Sequence, residues 1–180
     1  MAGSLSRASP RALGLSVHTG WAACVVVGGS PSGLEVIANE RIELLGNSER
    51  FCFHMAAELP RAGVARWLAQ ARAKALANAR RALAPLFAQQ VCACAIVAKL
   101  GDAGNLDEVL ASHPRIHTAE GCFYRDVLRD ACSIPVSLIA PASLDPSKLG
   151  KLAGPPWGKD QKLAALAAST LLPARATPRG

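Results

Sequence analysis

The spacing of hydrophobic and polar residues changes along the chain, and its period separates strands from helices. Residues 34–44 alternate apolar and polar side chains, which predicts a strand with one buried face. Residues 91–100 and 134–141 are nearly continuous apolar runs, which predict strands buried on both faces. With two further short apolar runs, the predicted strands are residues 12–17, 21–29, 34–44, 91–100 and 134–141.

Apolar residues at helical spacing predict helices after the third strand. The longest of these, residues 64–87, carries an apolar stripe that includes Val64, Ala71 and Leu83, and its basic residues lie largely off that stripe. Pro173 is expected to end the last helix. The predicted helices are residues 48–59, 64–87, 106–113, 118–132 and 159–172.

The order of these elements predicts the fold class. Tight turns at residues 18–20 and 30–33 join the first three strands into an antiparallel meander. The order β-β-β-α-β-α-β-α then predicts an α/β domain with a mixed sheet and helices on both faces. We expect a single domain over residues 12–172, and we expect residues 1–11 and 173–180 to be disordered tails.

Composition narrows the class of protein. The chain of 180 residues is 51% hydrophobic but only 4% aromatic, so its core is expected to be aliphatic. It contains no apolar run of the roughly 18 residues that would span a bilayer and no secretory signal, so we expect a cytoplasmic protein without a membrane partner. The six cysteines lack zinc-site spacing and are interpreted as small buried residues, with Cys92 and Cys94 on one face of a strand. No metal and no cofactor is predicted.

The formal net charge of +7 fits a partner that carries phosphate groups. Much of the positive charge lies on the long predicted helix and just before it, at Arg61, Arg66, Arg72, Lys74, Arg80 and Arg81. These residues can contact nucleic-acid phosphates, or they can form an ordinary solvated face, since no aromatic residues are interleaved for base stacking.

Two segments carry a resemblance to a known family. "ALGLSVHTGWAACVVV", residues 12–27, resembles the opening hairpin of the Holliday-junction resolvase branch of the ribonuclease H-like fold. "KDQKLAALAAST", residues 159–170, is similar to the last helix of that branch. The resemblance covers residues 12–172 and implies a ribonuclease H-like fold with a nucleic-acid partner.

The same resemblance implies carboxylates that hold two divalent metals for phosphodiester hydrolysis. Here Ser16 stands at the acidic position of the first strand, Lys99 at that of the fourth strand, and Leu163 at the second acidic position of the last helix. Only Asp160 keeps its place. An ordinary two-metal nuclease is therefore not expected, although Asp102 and Glu120 leave open a restored one-metal site.

Ligands of open mixed sheets bind beyond the carboxyl ends of the strands and at helix N-termini. We therefore expect four polar turns, residues 16–20, 99–102, 117–121 and 157–160, to meet in one cleft. The predicted ligand-binding residues are His18, Thr19, Lys99, Asp102, Arg125 and Lys159. Lys99, at the end of a buried strand, is expected to pair with Asp102, Glu120 or Asp160.

The predicted catalytic residues are His117, Glu120 and Asp160, because an imidazole exchanges a proton near neutral pH and a carboxylate can orient it. Capping explains part of the same pattern: Thr118 can be an N-cap, and Glu120 and Asp160 can be first-turn acids.

Three functions remain open. The first is a nuclease-inactive ribonuclease H-like protein that binds nucleic acid or another phosphate-bearing ligand at the cleft. The second is a small metal-independent enzyme that uses His117, Glu120 and Asp160. The third is a non-enzymatic scaffold or oligomerisation module, for which we expect a homo-oligomer.

Overall fold

The computed structural model describes residues 9–30 and 33–173. The strands are β1 Arg11–His18, β2 Trp21–Ser30, β3 Gly33–Glu43, β4 Val91–Val97 and β5 Val136–Ile139. The helices are α1 Cys52–Ala57, α2 Arg61–Phe87, α3 Leu106–Leu110, α4 His113–Ala131 and α5 Lys159–Ser169. Of the predicted tails, residues 1–8 and 174–180 lie outside the described residues, and Arg11 already belongs to β1.

The five strands form one mixed sheet in the order β3-β2-β1-β4-β5. The first three strands pair antiparallel, while β4 pairs parallel to β1 and β5 parallel to β4. Leu15 lies opposite both Cys24 and Ile96, and Ile96 lies opposite Leu138. The predicted mixed α/β sheet is confirmed, and the carboxyl ends of β1, β4 and β5 lie at one edge.

Helices cover both faces of the sheet, as predicted. Leu13 and Leu15 point to one face, where α2 contributes Ala75 and Leu83 and α4 contributes Leu128 to the main core. On the other face, the alanines of α5 pack against small and β-branched residues, among them Ala12, Val25 and Val27. Full burial of each Leu or Val side chain contributes about 1.5–3 kcal/mol to stability.

Gly14 sets the distance between β1 and α5. A Cβ atom at this position would lie 1.8 Å from the carbonyl oxygen of Ala164 and 2.5 Å from its carbonyl carbon. The helix therefore packs its backbone directly on the strand, and the alanines of α5 give it a surface smooth enough to do so. This close approach brings the N-terminus of α5 to the strand-end edge.

Two strand predictions are wrong in detail. β5 is a four-residue edge strand with Leu138 36% exposed, so it is not buried on both faces. Cys92 and Cys94 do not share a face, because Arg11 pairs with Val91 while Ala12 pairs with Ala93. This bulge leaves Cys92 as the extra residue and exposes it, whereas Cys94 is fully buried.

The helices also differ from their predicted bounds. The helix expected over residues 48–59 is a 3₁₀ turn, Asn47–Arg50, followed by the shorter α1. α2 begins at Arg61 because Pro60 takes its N-cap position, and Gly63 continues the helix instead of breaking it. None of the described helices has the length and apolar content needed to cross a membrane.

Candidate functional site

A cleft follows the carboxyl ends of β1 and β4. It consists of two adjoining cavities of about 570 and 800 Å³ that share Val17, His18, Ala98 and Lys99 as lining residues. The smaller cavity extends to His117 and Thr118 on α4, and the larger one extends to Lys159 and Asp160 at the start of α5. All four polar turns named from the sequence therefore contribute to the walls of this cleft.

The turn between β1 and β2 holds His18 and Thr19 at the cleft. Its last residue, Gly20, has a φ of 86°, a value that favours glycine. The Gly20 carbonyl accepts hydrogen bonds from the backbone N–H groups of Leu44 at 2.7 Å and Leu45 at 3.1 Å. The backbone just after β3 thus holds the β1–β2 turn in place through these two hydrogen bonds.

The His18 side chain links this turn to α5. Its ring stacks on Trp21 with centroids 4.1 Å apart and an interplanar angle of 5°. Its Nε2 atom lies 2.9 Å from Asp160 Oδ1, and the guanidinium of Arg41 covers the indole of Trp21 at 3.9 Å. The Asp160 carboxylate is therefore engaged by a neighbouring side chain at the cleft wall.

Lys99 and Lys159 supply the positive charge of the cleft. Both are exposed, and none of the ion pairs among the described residues involves either of them. The prediction that Lys99 is buried against Asp102, Glu120 or Asp160 is wrong, because β4 ends at Val97 and the chain has left the core by residue 99. Its ammonium group is free to meet a ligand.

Arg125 and Asp102 belong to a neighbouring region and line neither of the two cavities. The Arg125 guanidinium donates hydrogen bonds to the carbonyls of Lys99 at 3.2 Å and Gly101 at 2.8 Å, and to the carboxylate of Asp126. The hydrogen bonds with Asp126 raise the pKa of Arg125. Asp102 accepts a hydrogen bond from the backbone of its own loop, at Gly104. Arg125 thus holds the loop that follows β4 in place, and its donors are already used.

The three positions where the resemblance implies carboxylates meet in the larger cavity. Ser16, Lys99 and Leu163 all line it together with Asp160. Among the described residues of this wall, Asp160 is the only acid, and it is already paired with His18. One hydroxyl, one ammonium group and one engaged carboxylate do not fit a pair of hard divalent cations, which need several oxygen ligands.

Helix α4 begins five residues earlier than predicted. Ser112 has the extended backbone of an N-cap, and Pro114 lies in the first turn, where its missing N–H group is not needed. Thr118 is therefore not the N-cap, and its hydroxyl donates to the Pro114 carbonyl at 3.2 Å. Glu120 is the eighth residue of α4, about two turns from its start, and its side chain is fully buried. It is therefore not an exposed acid of the first turn.

The predicted catalytic residues do not share a cavity. His117 lines the smaller cavity, Asp160 lines the larger one, and Glu120 lines neither. Glu120 accepts a hydrogen bond instead from Nδ1 of His54 at 2.8 Å, on the side of α4 that faces α1. The arrangement gives little support to an acid–base pair made of Glu120 and Asp160, because such groups must reach one substrate.

His54 and His113 are site residues that the sequence-based prediction missed. The rings of His54, His113 and His117 form three edge contacts, with centroids 4.6 to 5.2 Å apart. The four-residue spacing of His113 and His117, one turn of a helix, was the available signal, and it was hidden by the late predicted start of α4. No comparable signal identifies His54, whose part in the cluster depends on how α1 packs.

The basic residues of α2 are largely used within the protein. Three of them form ion pairs: Arg61 with Asp107, Arg72 with Asp130 at 2.5 Å and Lys74 with Glu49 at 2.6 Å. The hydrogen bond from Arg72 lowers the pKa of Asp130. Arg81 donates to Asn78, while Arg66 and Arg80 take part in no ion pair among the described residues. The positive potential of this face is therefore reduced.

Comparison with solved structures identifies the fold. RuvC of T. thermophilus in complex with a Holliday junction substrate matches with a TM-score of 0.54 and 11% identity, over 89% of this chain and 91% of that chain. Another T. thermophilus RuvC structure matches with a TM-score of 0.47 and 12% identity, over 89% and 92% of the two chains. The yeast mitochondrial Holliday junction resolvase Ydc2 matches with a TM-score of 0.46 and 14% identity, over 91% of this chain and 79% of its own.

The predicted ribonuclease H-like fold is confirmed by the structural similarity to the junction-bound RuvC. No family model and no curated protein matches the sequence.

Proposed function

We propose that this protein binds nucleic acid through its phosphate groups at the strand-end cleft, and that it does so without two-metal hydrolysis of the phosphodiester. The observation that carries the proposal is the single cleft formed by four separate turns, with the unpaired ammonium groups of Lys99 and Lys159 on its wall. A polyanionic backbone is the ligand class for which exposed, uncompensated lysines in a groove are suited.

The distribution of paired and unpaired cations favours the cleft over α2. On α2, carboxylates neutralise Arg61, Arg72 and Lys74 but leave Arg66, Arg80 and Arg81 without an ion pair among the described residues. At the cleft, Lys99, Lys159 and the nearby Lys162 all lack an ion-pair partner in that part of the chain. A phosphate that binds at the cleft does not have to displace a protein carboxylate. It therefore gains more from each contact there than it would at the ion-paired residues of α2.

The residues of the cleft support binding more than cleavage. Two-metal catalysis requires carboxylates that clamp both ions beside the attacking and leaving oxygens. The larger cavity offers Ser16, Lys99 and Leu163 in place of three of these acids, and Lys99 would repel a cation there. The same lysine attracts a phosphate, so the replacement changes the preferred ligand from a metal to the nucleic-acid backbone.

A four-way DNA junction is the first ligand to test, because the RuvC structure of the same fold holds a Holliday junction substrate. Labelled junction, duplex and single-stranded DNA are titrated with the full-length protein at several salt concentrations, and binding is read by fluorescence anisotropy. We expect binding that weakens steeply with salt, since each phosphate contact releases counterions.

Lys99→Ala is the decisive variant. We expect it to weaken binding by about tenfold, because one charge-assisted hydrogen bond contributes about 1.5 kcal/mol, and to reduce the salt slope by about one. Lys74→Ala, which removes an equal charge from an ion pair on α2, is the matched control and should bind like the unmodified protein.

Equal affinities of Lys99→Ala and the unmodified protein would overturn the cleft as the binding site. An incubation of the junction with Mg²⁺ or Mn²⁺ tests the second half of the proposal. Intact DNA is the expected result, and metal-dependent cleavage that Ser16→Ala abolishes would refute it.

A further inference from the structure

We propose that His54, His113 and His117 form a transition-metal site of the zinc type, at the edge of the smaller cavity. Their ligand nitrogens all lie within 4.8 Å of one another, and Nε2 of His54 lies 3.4 Å from Nε2 of His113. Tetrahedral zinc with Zn–N bonds of 2.0–2.1 Å places two ligand nitrogens about 3.3 Å apart. The separation of this pair is close to that of two zinc ligands, and the wider separations within the cluster, up to 4.8 Å, would shorten when an ion binds.

Glu120 completes the arrangement from inside the protein. Its side chain is fully buried, and its Oε1 accepts from Nδ1 of His54 at 2.8 Å. This hydrogen bond fixes the proton on Nδ1 and leaves the lone pair of Nε2 pointing at His113. A carboxylate behind a histidine in this way orients metal ligands and raises their basicity.

The charge of Glu120 also calls for a cation. Its second oxygen, Oε2, is buried and has no hydrogen-bond partner among the described residues. Burying a carboxylate is costly unless positive charge lies nearby. A divalent ion on the far side of His54 supplies that charge through the imidazole.

The segment that carries His54 is held in place before any metal binds. The Trp67 indole of α2 donates to the carbonyl of Cys52 at 2.8 Å, and the Tyr124 hydroxyl of α4 donates to the carbonyl of Arg50 at 2.7 Å. His113 and His117 follow one another by one turn on the same helix. The three ligands thus come from two elements that are already fixed against each other.

The ligand set determines the class of metal. Three neutral imidazoles suit Zn²⁺, Co²⁺ and Cu²⁺ more than Mg²⁺, and three protein ligands leave a fourth position for water. His113 and His117 are exposed, so the ion and its water have access from solvent. The site differs in chemistry from the carboxylate positions of the fold family, and Ser16, Asp160 and Leu163 among those positions line the larger cavity, which none of the three histidines lines.

His117 belongs to the metal cluster and also lines the smaller cavity. An ion held there would lie beside the proposed nucleic-acid cleft, where a phosphate oxygen can take the fourth position. The metal site itself does not depend on that function, and its test contains no nucleic acid.

The test is a Co²⁺ titration of full-length, untagged, reduced protein that has been stripped with chelator, followed by competition with Zn²⁺. We expect one ion per chain, with visible d–d absorption and no thiolate-to-cobalt charge-transfer band. His113→Ala and His117→Ala, both at exposed positions, should each weaken binding by at least about 100-fold, and Glu120→Gln by about 10- to 100-fold. Circular dichroism of the variants shows that they keep the fold.

Two controls separate this site from other metal binding. His18→Ala removes the one remaining histidine of the chain and should leave the metal affinity unchanged. Cys92→Ser removes the exposed thiol and should also leave it unchanged. The proposal is overturned by the absence of one-to-one binding, by unchanged affinity of both His113→Ala and His117→Ala, or by a thiolate band.

Discussion

Burial holds two weak acids neutral in the region between α1, α2 and α4. Tyr124 is fully buried, and desolvation raises the pKa of its phenol above the ordinary value. Desolvation, with the nearby Glu120 charge, also raises the pKa of Cys52 from 9.0 to about 12. In both cases the charged form would lose its hydration in the core, so the folded protein favours the protonated form.

The raised pKa values of Tyr124 and Cys52 predict that the folded protein loses stability at alkaline pH. A raised pKa in the folded state means that the stabilisation is fully present below the unfolded-state pKa and is lost as the pH rises above it. We therefore expect the free energy of unfolding to fall from about pH 9 upward, as measured by chemical denaturation at about pH 8 and about pH 10.5.

Tyr124→Phe is the control for that prediction. It removes the hydrogen bond to Arg50, so it should be about 1 kcal/mol less stable at neutral pH but lose less stability in alkali. Because Tyr124 is the only tyrosine of the chain, its ionisation can also be followed by absorbance. Identical pH dependence of the two proteins would show that Tyr124 does not contribute.

At the scale of single residues, the sequence indicated which turns lie at the strand-end cleft better than it indicated what their side chains contact. His18 and Lys99 lie at the strand-end cleft because His18 is the last residue of β1 and Lys99 comes two residues after β4. Glu120 was predicted as a catalytic residue or as a first-turn acid, and the second interpretation is wrong because α4 begins at His113. The burial of Glu120 against His54 depends on the packing of α1, which local spacing does not contain.

At the scale of elements, the contact between β1 and α5 is the tightest constraint on the cleft. Gly14→Ala would place a methyl group 1.8 Å from the Ala164 carbonyl oxygen, so strand and helix would have to separate. Overpacking of this kind costs about 1–3 kcal/mol or more. We expect a lower denaturation midpoint for Gly14→Ala, measured by chemical unfolding.

Gly63→Ala is the matched substitution for Gly14→Ala. Gly63 lies in α2, and no heavy atom is within 4 Å of the position its Cβ would take. Alanine there should stabilise the protein by about 0.5–1 kcal/mol through its helix propensity. A Gly14→Ala protein as stable as the unmodified one would contradict the close packing of β1 and α5.

The sequence predicted whether a segment is a strand or a helix better than it predicted which elements lie next to each other. Apolar runs located four of the strands, and periodicity located β3 and the long helix, because strands and helices bury apolar residues at different spacings. It did not show that β5 lies at the sheet edge or that Cys92 forms a bulge, since both depend on which strand pairs with which. The start of α4 was missed because Pro114 looks like a helix breaker, although the first turn tolerates proline.

At the scale of the whole molecule, charge and topology lead to the same surface. The chain carries a net charge of +7, yet ion pairs neutralise three of the six basic residues of α2 and leave Lys99 and Lys159 of the cleft unpaired. The order of elements limited the possible topologies. The ribonuclease H-like prediction also needed the resemblance carried by residues 12–27 and 159–170. The part of His54 in the histidine cluster was not predictable, since it lies more than fifty positions before His113.

Hydrogen exchange with and without a four-way DNA junction tests most directly where this protein binds nucleic acid. We expect the junction to slow exchange in peptides that cover residues 16–20, 97–101 and 157–163, which form the cleft, and to leave residues 65–81 of α2 unchanged. Protection confined to α2, or no protection at a saturating junction concentration, would contradict the account.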